Sequence, residues 1–76
     1  MSQILVFTKP QCYGCTFTKR KLDELGLDYE AIDVTENEEA MARVTELGYM
    51  QLPVVVAGDQ HWSGYSPDRL EALAGA

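Results

Sequence analysis

Cys12-Tyr13-Gly14-Cys15 is the stretch where residue type and spacing meet a definite chemistry. Two thiols with two residues between them can close a disulfide, open it again, or hold a metal. They are the only cysteines among 76 residues. A bridge across so short a loop removes little entropy from the unfolded chain. Secreted mini-proteins rely on several bridges, which this chain lacks. Stability is therefore a poor reason for the pair. A zinc site takes about four ligands, and His61 is the one nitrogen left to add, so a complete metal or iron–sulfur site calls for a second chain. Thiol–disulfide exchange needs nothing more than the pair itself. Three readings stand side by side here: exchange, a structural pair of free thiols, and a shared metal or cluster site.

Exchange makes a demand on position. The thiolate is the attacking species, and free cysteine has a pKa near ~8.5, lowered to roughly 3.5–7.5 at helix N-termini and in Cys-X-X-Cys pairs. The unpaired N–H groups of a first helical turn and the positive end of the macrodipole favour an anion there. Lys9 adds a positive charge three residues before Cys12. On this reading Cys12 attacks a substrate disulfide, and Cys15, one turn behind, attacks the mixed disulfide and releases the reduced substrate. A CxxC next to a βαβ pattern is a strong pointer to such chemistry.

The surrounding pattern supplies that position. Ile4–Phe7 is a compact β-branched and aromatic run, predicting a buried strand. Thr8-Lys9-Pro10-Gln11 breaks it. From Tyr13 to Leu25 the period is helical, with Cys15, Thr18, Leu22 and Leu25 on one face and Gly26 as the stop. Tyr29–Val34 predicts a second strand. Thr35 followed three residues later by Glu38 has capping-box spacing, opening a helix to Leu47 with Ala40, Met41, Val44 and Leu47 apolar. Leu52–Ala57 is the most strand-like stretch, and the Gly58-Asp59 turn returns it through Gln60-His61-Trp62. Ser66-Pro67-Asp68 reads as N-cap, first-turn proline and first-turn acid, with Leu70 and Leu73 on the inner side. The order β-α-β-α-β-β-α predicts an α/β fold: a four-stranded mixed sheet with three helices, its first two strands parallel through a right-handed crossover. One domain over residues 1–76 accommodates it.

Pro53 opens a strand, where a missing N–H does least harm. Beside an upstream CxxC it also fits a cis Leu52–Pro53 bond facing the cysteines, with the backbone at Leu52 free to pair with an extended peptide. The net charge of −6 and the short basic cluster Lys19-Arg20-Lys21 lack the basic stripe of a nucleic-acid binder. No apolar run approaches the roughly 20 residues of a membrane span, and no leader pattern opens the chain, so a cytoplasmic monomer is expected.

Thr8-Lys9-Pro10, the CxxC, Thr18-Lys19, Gln51–Gly58 and Trp62-Ser63-Gly64-Tyr65-Ser66-Pro67-Asp68 together resemble the NrdH-type redoxins, from one end of the chain to the other. The resemblance implies a thioredoxin fold and a glutaredoxin-like sequence. It also implies electron donation to class Ib ribonucleotide reductase and re-reduction by thioredoxin reductase instead of glutathione. No cofactor or metal is implied beyond the redox-active Cys12–Cys15 pair. Cys12 becomes the attacking thiol, Cys15 the resolving one and Pro53 the cis proline. Trp62, Ser63, Gly64 and Tyr65 form the hydrogen-bonded turn beside the site, where Lys9, Tyr13, Gln51 and Leu52 also meet the partner. Glutathione-dependent glutaredoxins are the neighbouring alternative, although Gln51 and Ser63-Gly64 replace their usual lead into the proline and their Gly-Gly. The chain departs from the redoxin pattern at Tyr13-Gly14, which often reads Val-Gln, and at Ser66, often Arg. Tyr13 is like the tyrosine of dithiol glutaredoxins, and Phe17 lies off the apolar face of its helix.

Overall fold

The computed structural model describes residues 4–75. Strand β1 (Ile4–Thr8) leads into helix α1 (Tyr13–Glu24), then strand β2 (Glu30–Asp33), a 3-10 turn (Val34–Glu36) and helix α2 (Glu38–Glu46). Strands β3 (Val54–Ala57) and β4 (Gln60–Ser63) form a hairpin, and helix α3 (Pro67–Gly75) closes the described chain. The sheet order is β2-β1-β3-β4, with β1 parallel to β2 and antiparallel to β3. The predicted order and the parallel first pair are both present. β3 starts at Val54, two residues later than the apolar run begins, because the chain at Leu52-Pro53 turns across the end of the sheet.

Alternation along the central strands builds two cores. Phe7, Val54 and Val56 face α2, where Ala40 and Val44, with Val34 of the 3-10 turn, complete a buried cluster. Val6 and Val55 face the other way and pack with Leu22 of α1, Trp62 of β4 and Leu70 of α3. Side chains on successive strand residues point to opposite faces, so β1 and β3, buried on both, read as continuous apolar runs. The edge strand β2 is half-exposed and reads as mixed.

Helix ends are set by local chemistry. After α1, Gly26 (φ +71°) takes the left-handed conformation; its N–H reaches the Asp23 carbonyl, and that of Leu27 reaches Leu22. Gly48 (φ +87°) ends α2 with the matching pair, Gly48 to Thr45 and Tyr49 to Val44. Both are Schellman ends. The start of α2 departs from the sequence expectation. Thr35 lies inside the 3-10 turn, which Asp33 caps by accepting from the Thr35 N–H at 2.8 Å and its hydroxyl at 2.6 Å. Asn37 is the N-cap of α2, its side-chain oxygen accepting from the Ala40 N–H at 3.0 Å. The whole helix start is displaced by two residues, and Met41 is 44% exposed instead of buried. Among the described residues no helix is long and apolar enough to cross a membrane.

Candidate active site

β1 delivers the chain to one end of the sheet, and α1 carries it back. The turn between them is tight: Gln11 has a left-handed backbone (φ +59°), a conformation that a non-glycine residue adopts only when its surroundings hold it there. The next residue, Cys12, is extended (φ −115°, ψ +106°) and is the N-cap of α1. Ser, Thr, Asp and Asn usually take that place because their oxygen accepts an N–H of the first turn. Here a sulfur does so. The Cys15 N–H donates to Cys12 Sγ at 3.1 Å, and the Thr16 N–H donates to the Cys12 carbonyl at 3.1 Å.

The sulfurs of Cys12 and Cys15 are joined, with Cα atoms 5.2 Å apart. Cys12 is half-exposed, whereas Cys15 is 2% exposed. Cys15 shares its inner face with Thr18 and Leu22, as the helical spacing predicts. One sulfur thus meets solvent and the other sits behind it. An N–H at the positive end of a helix is aimed at the outer sulfur, an arrangement that favours an anion there.

Across from Cys12 stands the turn before β3. The Leu52–Pro53 bond is cis. The Leu52 carbonyl oxygen lies 3.7 Å from Cys12 Sγ, close enough for a weak S–H donor in the reduced form. The carbonyls on either side of it are occupied elsewhere. The Ser63 hydroxyl donates to the Gln51 carbonyl at 2.9 Å, and the Gly64 N–H donates to the Pro53 carbonyl at 2.8 Å. The Ser63-Gly64 turn therefore fixes the backbone that faces the sulfur. Gly14 completes the packing: a Cβ built there stands 3.0 Å from Pro53 Cδ and 4.0 Å from Tyr65 Cβ.

The other residues singled out in the sequence divide into three groups. Lys9 is exposed and lines, with Lys19, a cleft of about 580 Å³ that reaches Cys12 and Cys15. Tyr13 is 83% exposed, and Tyr65, also exposed, meets Phe17 with its ring tilted by 45° at a 5.8 Å centroid separation. Trp62 does not reach this surface; its ring is buried in the α1–α3 core with the Arg69 guanidinium 5.5 Å above it. Three features escaped the sequence reading. One is the approach of Gly14 to Pro53. The second is Lys19 at the cleft, four residues after Cys15 and so detectable by helical spacing. The third is a pair on the far side, where the Tyr49 hydroxyl lies 2.7 Å from His61 Nδ1. A second, more apolar hollow of about 390 Å³ runs from Lys9 and Leu52 to Val44 and Met50, the last 97% exposed.

Comparison with known proteins bears on this arrangement. The glutaredoxin family model matches residues 4–62. Over 71 residues the chain is 41% identical to the glutaredoxin-like protein NrdH of Escherichia coli strain K12, spanning 93% of this chain and 88% of that one. The glutaredoxin-like protein NrdH of Lactococcus lactis subsp. lactis is 31% identical over 71 residues, or 93% and 99% of the two chains. The structure superposes on that of NrdH-redoxin from Escherichia coli, a protein with a thioredoxin-like activity profile. The TM-score is 0.89 at 41% identity, covering 92% of both chains.

Proposed function

Because the chain belongs to the glutaredoxin family, among its NrdH-like members, and is a thiol-disulfide oxidoreductase, we propose that it reduces a disulfide in class Ib ribonucleotide reductase and is recharged by thioredoxin reductase. The observation that carries the chemistry is the sulfur of Cys12 at the start of α1, with the Cys15 N–H 3.1 Å from it. Cys12, as thiolate, attacks one sulfur of the acceptor disulfide. That bond breaks, a mixed disulfide forms, and the first acceptor sulfur leaves as a thiolate. Cys15 loses its proton and attacks Cys12 Sγ. The second acceptor thiolate leaves, and Cys12–Cys15 closes. Two electrons pass to the acceptor, whose two thiolates take up two protons. The dithiol couple is the whole redox equipment; no cofactor or metal takes part.

The backbone opposite Cys12 fits a polypeptide acceptor. The Leu52 carbonyl faces the sulfur while its neighbours are tied to Ser63 and Gly64. An extended segment can pair there as an added strand, placing its disulfide before Cys12. Thioredoxin reductase is favoured over glutathione as the source of electrons by Gln51 and Ser63-Gly64 in place of the usual glutaredoxin residues, and by the thioredoxin-like profile of the Escherichia coli relative.

The test is a coupled assay. The purified chain, thioredoxin reductase, NADPH and oxidised class Ib reductase should consume NADPH in proportion to deoxyribonucleotide formed. Glutathione with glutathione reductase should support little turnover. The reverse pattern would make the chain a glutathione-dependent glutaredoxin.

A further inference from the structure

Charge is distributed unevenly along this chain. All twelve acidic residues lie at or after Asp23, whereas Lys9, Lys19, Arg20 and Lys21 fall before it. That acid-free segment comprises β1, the CxxC turn and most of α1, and Lys9 and Lys19 from it line the cleft that holds Cys12. A molecule of net charge −6 thus places cations beside its exposed sulfur. Their engagements differ. Lys21 is held by Glu71 at 2.8 Å. The nearest acid on the neighbouring strand, Asp33, which pairs in register with Thr8, has its carboxylate turned onto Thr35. Lys9 and Lys19, among the described residues, have no carboxylate within ion-pair distance, and both line the 580 Å³ cleft that contains Cys12.

We propose that this cleft seats an acidic stretch of the partner polypeptide, so that the preferred substrate is a protein disulfide flanked by Asp or Glu. The inference rests on the reading of the chain as a protein-disulfide reductant and adds the charge of its substrate. Two ammonium groups flanking one nucleophile attract carboxylates on the same segment as the disulfide. They also steer the encounter, because a cleft lined by one sign of charge raises the association rate of its counter-ion. The acidic remainder of the molecule repels a second anionic surface, so only an approach end-on to the sulfur is favourable. The contribution is screened as salt rises and the Debye length shrinks from about 10 Å at 0.1 M to 3 Å at 1 M.

The test uses three synthetic peptides of equal length, each with one internal disulfide, its cysteines flanked by Glu, Gln or Lys. The dithiol form of the full chain should reduce the Glu peptide about tenfold faster than the Lys peptide at low salt. The Gln peptide should fall between, and the spread should narrow near about 1 M salt. Lys9→Gln with Lys19→Gln should bring the Glu-to-Gln rate ratio towards one. Arg43→Gln, which removes a cation of α2 that does not line the cleft, should leave the ratio unchanged. Equal rates on Glu and Gln peptides, or a preference that survives the double substitution, would overturn the proposal. So would inhibition by S-methylglutathione, which carries no disulfide, without inhibition by a cysteine-free Glu peptide, which would assign the cleft to a small thiol's carboxylates. An uncharged small disulfide keeps the two levels apart. If the wild-type chain reduces it without any charge preference among peptides, only this inference fails. If it reduces nothing, the carrier reading fails with it.

Discussion

Cys12 occupies a helix N-cap with an atom that can carry a full charge, and this joins local structure to reactivity. An oxygen cap satisfies one orphan N–H and is finished; the sulfur does the same at 3.1 Å and is also the group that must ionise. Alkylation of the reduced chain at pH about 7 should modify Cys12 well before Cys15, and faster than a free thiol of pKa near ~8.5. A rate equal to that of a free thiol would leave the attacking role without its cause. Gly14 makes a second case at this scale. Helix propensity alone says that Gly14→Ala should gain up to about 1 kcal/mol. The added Cβ meets Pro53 Cδ at 3.0 Å, so either the proline ring shifts or the first turn does. The expected result is no gain in the denaturant midpoint and slower reduction of protein disulfides, because the Leu52 carbonyl moves with the ring. A stabilised variant with unchanged rate would show that the proline yields freely.

Between elements, the start of α2 shows what a local pattern can and cannot decide. Asp33, Thr35 and Asn37 are three good caps at a spacing of two. Sequence favours Thr35 because Glu38 completes a capping box. The sheet decides otherwise: β2 stays paired to Thr8 as far as Asp33, the chain must then turn, and that turn consumes Thr35. Asn37→Ala should therefore cost about 1 kcal/mol in chemical denaturation. Thr35→Ala should cost clearly less than Asn37→Ala; equal losses would restore the capping box. The CxxC and the element order were legible because their causes lie within a few residues, and the cis proline only because a CxxC far upstream suggested what it faces. The Gly14–Pro53 approach comes from segments that meet only after the sheet has formed, and the exposure of Met41 follows from the start of α2 that the sheet displaces. A link between helices adds a pH dependence. The hydrogen bond to Glu71 raises the Lys21 pKa above its ordinary 10.5. A lysine so held stabilises the fold below its unfolded pKa, and the contribution is lost as pH rises through the higher folded value. Lys21→Gln should thus lower stability slightly at neutral pH, by the small amount such a surface pair contributes, and the difference from wild type should vanish above about pH 10.5, where the wild type loses that contribution. Denaturant midpoints on both sides of that pH, compared with wild type, measure it; an unaltered alkaline slope would count against the linkage.

For the molecule as a whole, stability and chemistry sit in different places. A chain of 76 residues has a total stability of about 4–11 kcal/mol at 0.05–0.15 kcal/mol per residue, drawn here from two thin cores. The α1–α3 core depends on Leu70, fully buried against Val6, Leu22, Val55 and Trp62. Leu70→Ala should cost about 2–5 kcal/mol, a large share of that total, because the buried part of α3 is little else. The cage around Cys12 is built from the first turn of α1, Leu52-Pro53 and Ser63-Gly64, all of which precede α3. Well below its melting temperature the variant should therefore keep the Cys12 alkylation rate of the wild type. Its unfolding midpoint, followed by Trp62 emission from within the same core, should fall sharply. A loss under about 1 kcal/mol would mean that the core repacks around the missing side chain. A drop in Cys12 reactivity in step with stability would mean that the site and the α1–α3 core are a single cooperative unit.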